Sequence, residues 1–155
     1  MIERQFVVFK LDKEEYGIDI MNVKEIGPYQ EPVKVPNSPA FIEGIVNYRG
    51  EVIPIVNLKK RFNLNELIVN KNTRVIVINI DGKQVGFIVD EASQTVRFEE
   101  GDIEKAPDII TDVDSEYIAG VGKKDERLIL LIDLEKVLTE SEKKKIVSMD
   151  LVKED

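Results

Sequence analysis

The chain contains no cysteine and no histidine. Those absences remove thiolate and imidazole zinc ligands, a cysteine nucleophile, the histidine base of a serine triad, and any histidine able to accept a phosphoryl group. Positive charge is in deficit: 22 Lys+Arg stand against 30 Asp+Glu, giving a formal charge of −8 and a pI of about 4.8. A nucleic-acid groove runs on concentrated positive charge and counterion release, so no nucleic-acid partner is expected. The compact lysine run Lys143-Lys144-Lys145 is followed by acids and reads as a solvated helix face. No apolar run approaches the ~20 residues of a membrane span, and no direct membrane insertion is expected. The start Met1-Ile2-Glu3-Arg4-Gln5 has neither the cationic region nor the apolar run of a signal peptide, which reads as a soluble cytoplasmic protein.

At 155 residues and 17.7 kDa, residues 1–155 are read as one domain. The apolar residues come in short β-branched bursts separated by turn residues, the pattern of strands rather than of long amphipathic helices. Phe6 to Leu11 and Tyr16 to Asp19 flank a turn at Asp12-Lys13-Glu14-Glu15. Gly44 to Tyr48 turns at Arg49-Gly50 into Glu51 to Asn57, and Thr73 to Ile80 turns at Asp81-Gly82 into Lys83 to Val89. Tyr117 to Gly122 and Arg127 to Ile132 make a fourth hairpin. With single strands at Val33-Lys34-Val35 and Thr95 to Phe98, about ten short strands result. Helix is expected at Met21 to Ile26, at Leu58 to Phe62, and at the C-terminus. There Ser141 is placed to cap Glu142 to Leu151, with Ile146, Val147 and Leu151 at helical spacing.

The chain also reads as duplicated. Residues 42–62 lie on 118–138 without a gap, placing Ile42 on Ile118, Gly44 on Gly120, Ile53 on Ile129 and Leu58 on Leu134. Asp12 and Gly17 fall on Asp81 and Gly86, and Val8, Leu11 and Ile18 on Val77, Ile80 and Phe87. Five strands per half suit a small closed or partly open barrel better than one wide sheet. Two such units, roughly 1–65 and 70–140 with exchange of segments allowed, must then meet along an apolar seam that covers their strand faces and edges. The turn Tyr48-Arg49-Gly50 corresponds to Lys124-Asp125-Glu126, so a recognition role is expected on one copy only.

The stretch from Ser38-Pro39-Ala40-Phe41-Ile42-Glu43-Gly44 through Asn47-Tyr48-Arg49-Gly50 to Pro54-Ile55-Val56-Asn57-Leu58 resembles the signature of CheW-type chemotaxis coupling proteins. Glu14 to Ile20, Val23 to Ile26, Val85 to Asp90 and the final hairpin agree, so the resemblance covers nearly the whole chain. Tyr48 departs from it, standing where the family usually carries an aliphatic residue, beside a turn that is unchanged. The resemblance implies a mainly β fold: two five-stranded SH3-like β-barrels packed together, with short helices and a C-terminal helix near 141–151. It implies a cytoplasmic adaptor at membrane-associated receptor arrays, linking methyl-accepting chemoreceptor cytoplasmic tips to the regulatory domain of the histidine kinase CheA. No catalysis, cofactor or metal is implied. That kinase domain is a close relative, so fold alone does not separate the two; a stand-alone chain without a phosphotransfer residue reads as the adaptor.

The same resemblance makes Arg49 functionally sensitive, with Glu25 as its ionic partner. A guanidinium fork can hold a carboxylate bidentately and can also anchor an interface, and both an intrachain brace and a partner contact are open. Ile20, Val23 and Ile26 read as core on their chemistry; the resemblance places receptor and kinase contacts around them, and Ala92 and Thr95 at the receptor-facing groove. Gly50 is explained by its turn. Other classes of function find less support. Asp112, Asp114 and Glu116 would share one side of an extended segment, where carboxylates could do acid–base work or hold a hard cation. The glycine-centred loop of a calcium-binding hand is missing, and the cluster reads as solvated. Gly82, Gly86 and Gly101 lack the spacing of a phosphate loop. A small-ligand site between the two units would need convergent polar groups in an apolar cleft, and no such cluster is visible.

Overall fold

The computed structural model of the chain describes residues 3–105 and 117–149. Four hairpins dominate it: β1 (Glu3–Leu11) with β2 (Glu14–Asp19), β4 (Ile42–Tyr48) with β5 (Glu51–Asn57), β6 (Arg74–Ile80) with β7 (Lys83–Val89), and β10 (Ile118–Lys124) with β11 (Arg127–Ile132). Between them lie β3 (Glu25–Pro28), β8 (Glu91–Glu99) and the two-residue β9 (Ile103–Glu104). Among the described residues, helix is limited to α1 (Leu58–Arg61), three short 3-10 turns and α2 (Glu140–Met149). Among the described residues, no helix is long and apolar enough to cross a membrane.

Each hairpin turns in two residues, and each turn begins in the left-handed region: Asp12 at φ 57°, Arg49 at 53°, Asp81 at 50° and Asp125 at 51°. Positive φ in a two-residue loop matches the right-handed twist of the flanking strands. Gly50 and Gly82, both at φ 84°, supply the second positive residue in two of them.

The strands form a six-stranded sheet in the order β8-β1-β2-β11-β10-β9 and a five-stranded sheet in the order β3-β6-β7-β5-β4. Alternation along the strands serves two cores at once. Phe6 and Val8 of β1 face inward with Phe98, Ile129 and Leu131, whereas Val7, Phe9 and Leu11 face the other sheet. In β6, Val75 and Val77 face inward with Ile53 and Ile55, and Ile76, Ile78 and Ile80 face the seam. Three apolar clusters result, one inside each curved sheet and the largest between them.

Among the described residues, neither sheet is closed by hydrogen bonds. The expected pair of five-stranded barrels is therefore corrected to two open, curled sheets of six and five strands. The reason lies at the sheet ends. Phe98 of β8 packs against Gly122 of β10, so the larger sheet wraps on itself, yet β8 passes into β9 through the 3-10 turn Glu100–Asp102 without pairing. In the smaller sheet, β3 and β4 approach through the side chains of Glu25 and Tyr48 rather than through a backbone ladder.

Register repeats between the sheets. Val8 stands opposite Gly17 as Val77 stands opposite Gly86, and Gly120 opposite Leu131 as Gly44 opposite Ile55, each of the latter ladders slipping just before its glycine. The two parallel pairings correspond as well: Leu131 with Gly17 and Ile55 with Gly86. Gly86 is required by this crossing, since a Cβ there would stand 2.7 Å from Val75 Cγ1 and 2.8 Å from Ile55 Cδ1. Asn57 caps α1 and Asp133 caps the 3-10 turn Leu134–Lys136, and both Leu58 and Leu134 are buried.

Several local expectations are corrected. Met21 to Ile26 is not a helical connector: Asp19 caps a single 3-10 turn at Ile20–Asn22, and Glu25 to Pro28 then pairs with β6. Val33 to Val35 contributes only an isolated bridge, Val33 to Ile45. The cap of α2 is Thr139, not Ser141: Glu142 N–H donates to Thr139 Oγ1 at 3.1 Å, and Thr139 N–H donates to Glu142 Oε1 at 2.8 Å. That reciprocal pair is a capping box, spelled in the sequence as Thr139-Glu140-Ser141-Glu142. Ile146 is buried in the seam, whereas Leu151 and the Asp112, Asp114, Glu116 cluster lie outside the described residues.

Candidate functional site

Arg49 and Glu25 meet at the open side of the smaller sheet. The β4–β5 turn fixes the root of Arg49, and the β3–β6 pairing fixes that of Glu25. Arg49 Nε donates to Glu25 Oε1 at 2.9 Å and to Oε2 at 2.8 Å, and Nη2 also donates to Oε2. Tyr48 joins them, its hydroxyl donating to Glu25 Oε2 at 2.7 Å. Hydrogen bonds from Arg49 first and Tyr48 second hold the Glu25 carboxyl below the usual carboxylate range. Burial, then the bond to Glu25, pushes the Tyr48 phenol up. The pairing is lopsided in exposure: the Arg49 side chain is 75% exposed and that of Glu25 27%. Arg49 is thus braced within the chain and still open to solvent.

The apolar candidates gather elsewhere. Ile20, Val23 and Ala92 are half-buried and packed on the core between the sheets. Val23 also lines a groove of about 410 Å³ bounded by Ile18, Met21, Lys24, Ile78 and Leu134, beside which Met21 is 85% exposed. Ala92 and Thr95 would fall on opposite faces of a regular strand. The register slip in β8 instead pairs Ala92 with Phe9 and Thr95 with Val7, which places both on the side facing the seam. Thr95 is exposed there. Ile26, also exposed, follows Glu25 on β3 and so occupies the opposite face of that strand from the ionic pair. The candidates therefore divide into an ionic group of Arg49 and Glu25, and an apolar group along the seam.

Two features escaped the sequence reading. The first is Tyr48, whose hydroxyl is a working part of the ionic group. The second is Lys59, 5% exposed on α1, with Nζ 2.8 Å from Asp12 Oδ1 and 3.0 Å from Asp90 Oδ2. Asp12 N–H donates to Asp90 Oδ2 at 2.7 Å, and Asn65 Nδ2 donates to Asp12 Oδ2 at 3.2 Å. Burial pulls the Lys59 ammonium down, but the bonds to Asp12 and Asp90 outweigh it and leave the group above its usual value. This network ties the first turn, α1 and the end of β7 together. Its only sequence signal is polar residues beside hairpin ends. Among the described residues, no group of His, Cys, Asp or Glu is arranged to hold a metal ion.

The CheW-like domain family matches residues 5–142. The chain is 37% identical over 141 residues to the chemotaxis protein CheW of Klebsiella aerogenes, covering 91% of this chain and 85% of that protein. It is 39% identical over 137 residues to CheW of Bacillus subtilis, covering 86% of each. The crystal structure of the scaffolding protein TtCheW from Thermoanaerobacter tengcongensis superposes with a TM-score of 0.81 at 35% identity, covering 92% of both chains. Matched over most of its length in sequence and in fold, the chain belongs to the CheW-like domain family.

Proposed function

We propose that this protein is a non-catalytic adaptor that couples chemoreceptor cytoplasmic tips to the histidine kinase CheA in membrane-associated signalling arrays. The observation that carries the reading is the family match over residues 5–142, which spans both sheets. We read residues 1–155 as one CheW-like domain built of two pseudo-repeated, SH3-like halves. An adaptor has to present separate surfaces to two partners at once, and the two groups of candidates differ in chemistry as that task requires. The ionic group offers an exposed guanidinium with a fixed base. The seam offers apolar residues beside a groove, suited to burying a partner's aliphatic side chains at about 25 cal/mol per Å². Ile20, Val23, Ile26, Ala92 and Thr95 are the contacts proposed there, and Glu25 with Arg49 those at the ionic group.

The test is reconstitution with a receptor cytoplasmic fragment and full-length CheA. Co-sedimentation should retain the kinase on receptor fragments only when this chain is present, and phosphate flux through the kinase should change with it. Equal retention of kinase without the chain would overturn the adaptor reading.

A further inference from the structure

We propose that Lys59 is a positioning residue: its buried ammonium pins the point where the chain returns from the smaller sheet to the larger, and so sets the angle between the sheets. That angle fixes the width of the groove at the other crossing, where a partner touching both sheets docks. The inference rests on the adaptor reading and adds to it a residue that touches neither partner.

Among the described residues, the chain passes between the sheets twice. It leaves the larger sheet between Asp19 and Glu25, through the 3-10 turn Ile20–Asn22, and returns between Val89 and Glu91 through the single residue Asp90. The seam candidates hang on these crossings: Ile20 and Val23 lie on the first, Ile26 on the strand it enters, and Ala92 and Thr95 on the strand that follows the second. The second crossing is held from both sides. Asp90 N–H donates to Lys10 O at 3.0 Å, and Asp90 Oδ2 accepts from Asp12 N–H at 2.7 Å, which ties it to the first hairpin of the larger sheet. Lys59 brings the smaller sheet to the same carboxylate, because α1 continues directly from β5. With Asp12, Asp90 and the Glu66 carbonyl at 3.4 Å, each of the three donors of the ammonium has an acceptor. Among the described residues, Lys59 is the only charged side chain that is buried. Burial of apolar surface is non-directional, so the seam rewards contact without selecting one angle. Three donors aimed at fixed acceptors select one.

The internal repeat carries this pin only once. Glu25 stands opposite Val77 as Gln94 stands opposite Val8, so the two crossings can be laid on each other residue by residue. Asp12 then falls on Asp81, Asp90 on Met21 and Lys59 on Glu135. The first crossing thus has a carboxylate residue at the ammonium's position and a thioether at its acceptor's, and the same ionic contact cannot form there. In its place lies the groove of about 410 Å³, with Met21 and Glu135 in its walls. Ile18 and Leu134 line it from the side of the larger sheet, Ile78 and Asn79 from the smaller. A cleft with one wall on each sheet widens or narrows with the angle between them. The two crossings also lie at opposite ends of β2: Asp90 bonds the turn that precedes it, and Ile20 is the residue that follows it. A contact at one end of the seam therefore governs the opening at the other.

The experiment uses the full chain. It measures affinity for a receptor cytoplasmic fragment and for full-length CheA separately, with amide residual dipolar couplings fitted sheet by sheet. In the wild type both sheets should fit one alignment frame. In Lys59→Met each sheet should still fit alone, but the two should no longer share a frame. Affinity should fall about 3- to 30-fold for the partner that bridges the sheets and stay within about 2-fold for the other. Asp90→Asn should give the same selective loss, and combining it with Lys59→Met should add little, because both act through one contact. Ile129→Val, which loosens packing inside the larger sheet, should lower melting while leaving the shared frame and both affinities intact. If Lys59→Met keeps the shared frame, or weakens both partners equally, the positioning role is overturned while the adaptor reading stands. The same follows if the frame is lost and both affinities hold. If the wild-type chain binds neither partner, the adaptor reading falls and the proposal falls with it.

Discussion

Lys59 Nζ and Asp12 Oδ1 lie 2.8 Å apart, which joins a helix that follows β5 to a turn that follows β1. Asp90 completes the arrangement from the end of β7 at 3.0 Å from the same nitrogen. Removing one member of a buried ionic network leaves its partners desolvated and uncompensated. Lys59→Met keeps the aliphatic stem and deletes the charge, so melting should fall by about 5–10 °C. Differential scanning calorimetry checks this, and a wild-type melting temperature would show that the network is dispensable.

Acid sensitivity follows from the same class of contact. The carboxyls of Asp12, Glu15 and Glu25 all lie below their usual values, chiefly through hydrogen bonds from Lys59, Arg127 and Arg49 respectively. A carboxyl with a depressed folded-state pKa contributes stability that is present above its unfolded value and lost as pH falls through the folded value. Lys59 and the phenols of Tyr16 and Tyr48 are shifted upward, and their contribution is lost only as pH rises through those raised values. With no histidine in the chain, denaturant midpoints should be flat between about pH 6 and 9 and drop below about pH 4. A transition centred near pH 6.5 would contradict this assignment.

The repeated register makes Leu58 and Leu134 a matched pair, 0% and 1% exposed at the start of equivalent turns. Leu58→Ala and Leu134→Ala should each cost about 2–5 kcal/mol, as buried leucine truncations do. Urea unfolding of the two variants gives the comparison. A near-neutral result for either would mean that its copy of the turn is not part of the packed seam.

Function should separate the two copies where stability does not. Arg49→Ala removes an exposed side chain, so the fold should survive, while kinase coupling in the reconstituted assay should be lost. Glu126→Lys, in the corresponding turn of the other hairpin, should leave coupling nearly unchanged because isolated surface charges usually matter within about ±0.5 kcal/mol. Equal loss from both turns would remove the asymmetry. A collapse in melting for Arg49→Ala would move that residue to a structural role.

Much of this was legible from residues alone, for reasons that are local. Asp81-Gly82 and Arg49-Gly50 announce two-residue turns, and an unbroken β-branched run such as Val75 to Ile78 announces a strand with two buried faces. The gapless match of residues 42–62 to 118–138 anticipated the shared register and the burial of Leu58 and Leu134. What escaped is non-local. β3 is four residues long, begins beside a 3-10 turn and owes its strand character to β6, so no periodicity within it could reveal it. Sheet closure depends on whether end strands pair, which alternation does not encode. Arg49 and Glu25 were readable as partners only through resemblance. The role of the Tyr48 hydroxyl appears only once β3 brings Glu25 within hydrogen-bond reach of it.

The parallel pairing of β2 with β11 governs how the protein must be made. Tyr16 meets Leu130, so the β1–β2 hairpin waits for β11, the last strand among the described residues, before its sheet is complete. The five-stranded sheet has no such debt: every strand from β3 to β7 falls between Glu25 and Val89, a contiguous stretch of chain. Loop closure between distant segments is slow, whereas nearby hairpins form early. The order of folding is therefore written into the connectivity, with the inner segment able to settle during synthesis and the outer strands docking last. A nascent chain stalled before β11 exposes the free edge of β2, and that interval is when the molecule is most open to aggregation.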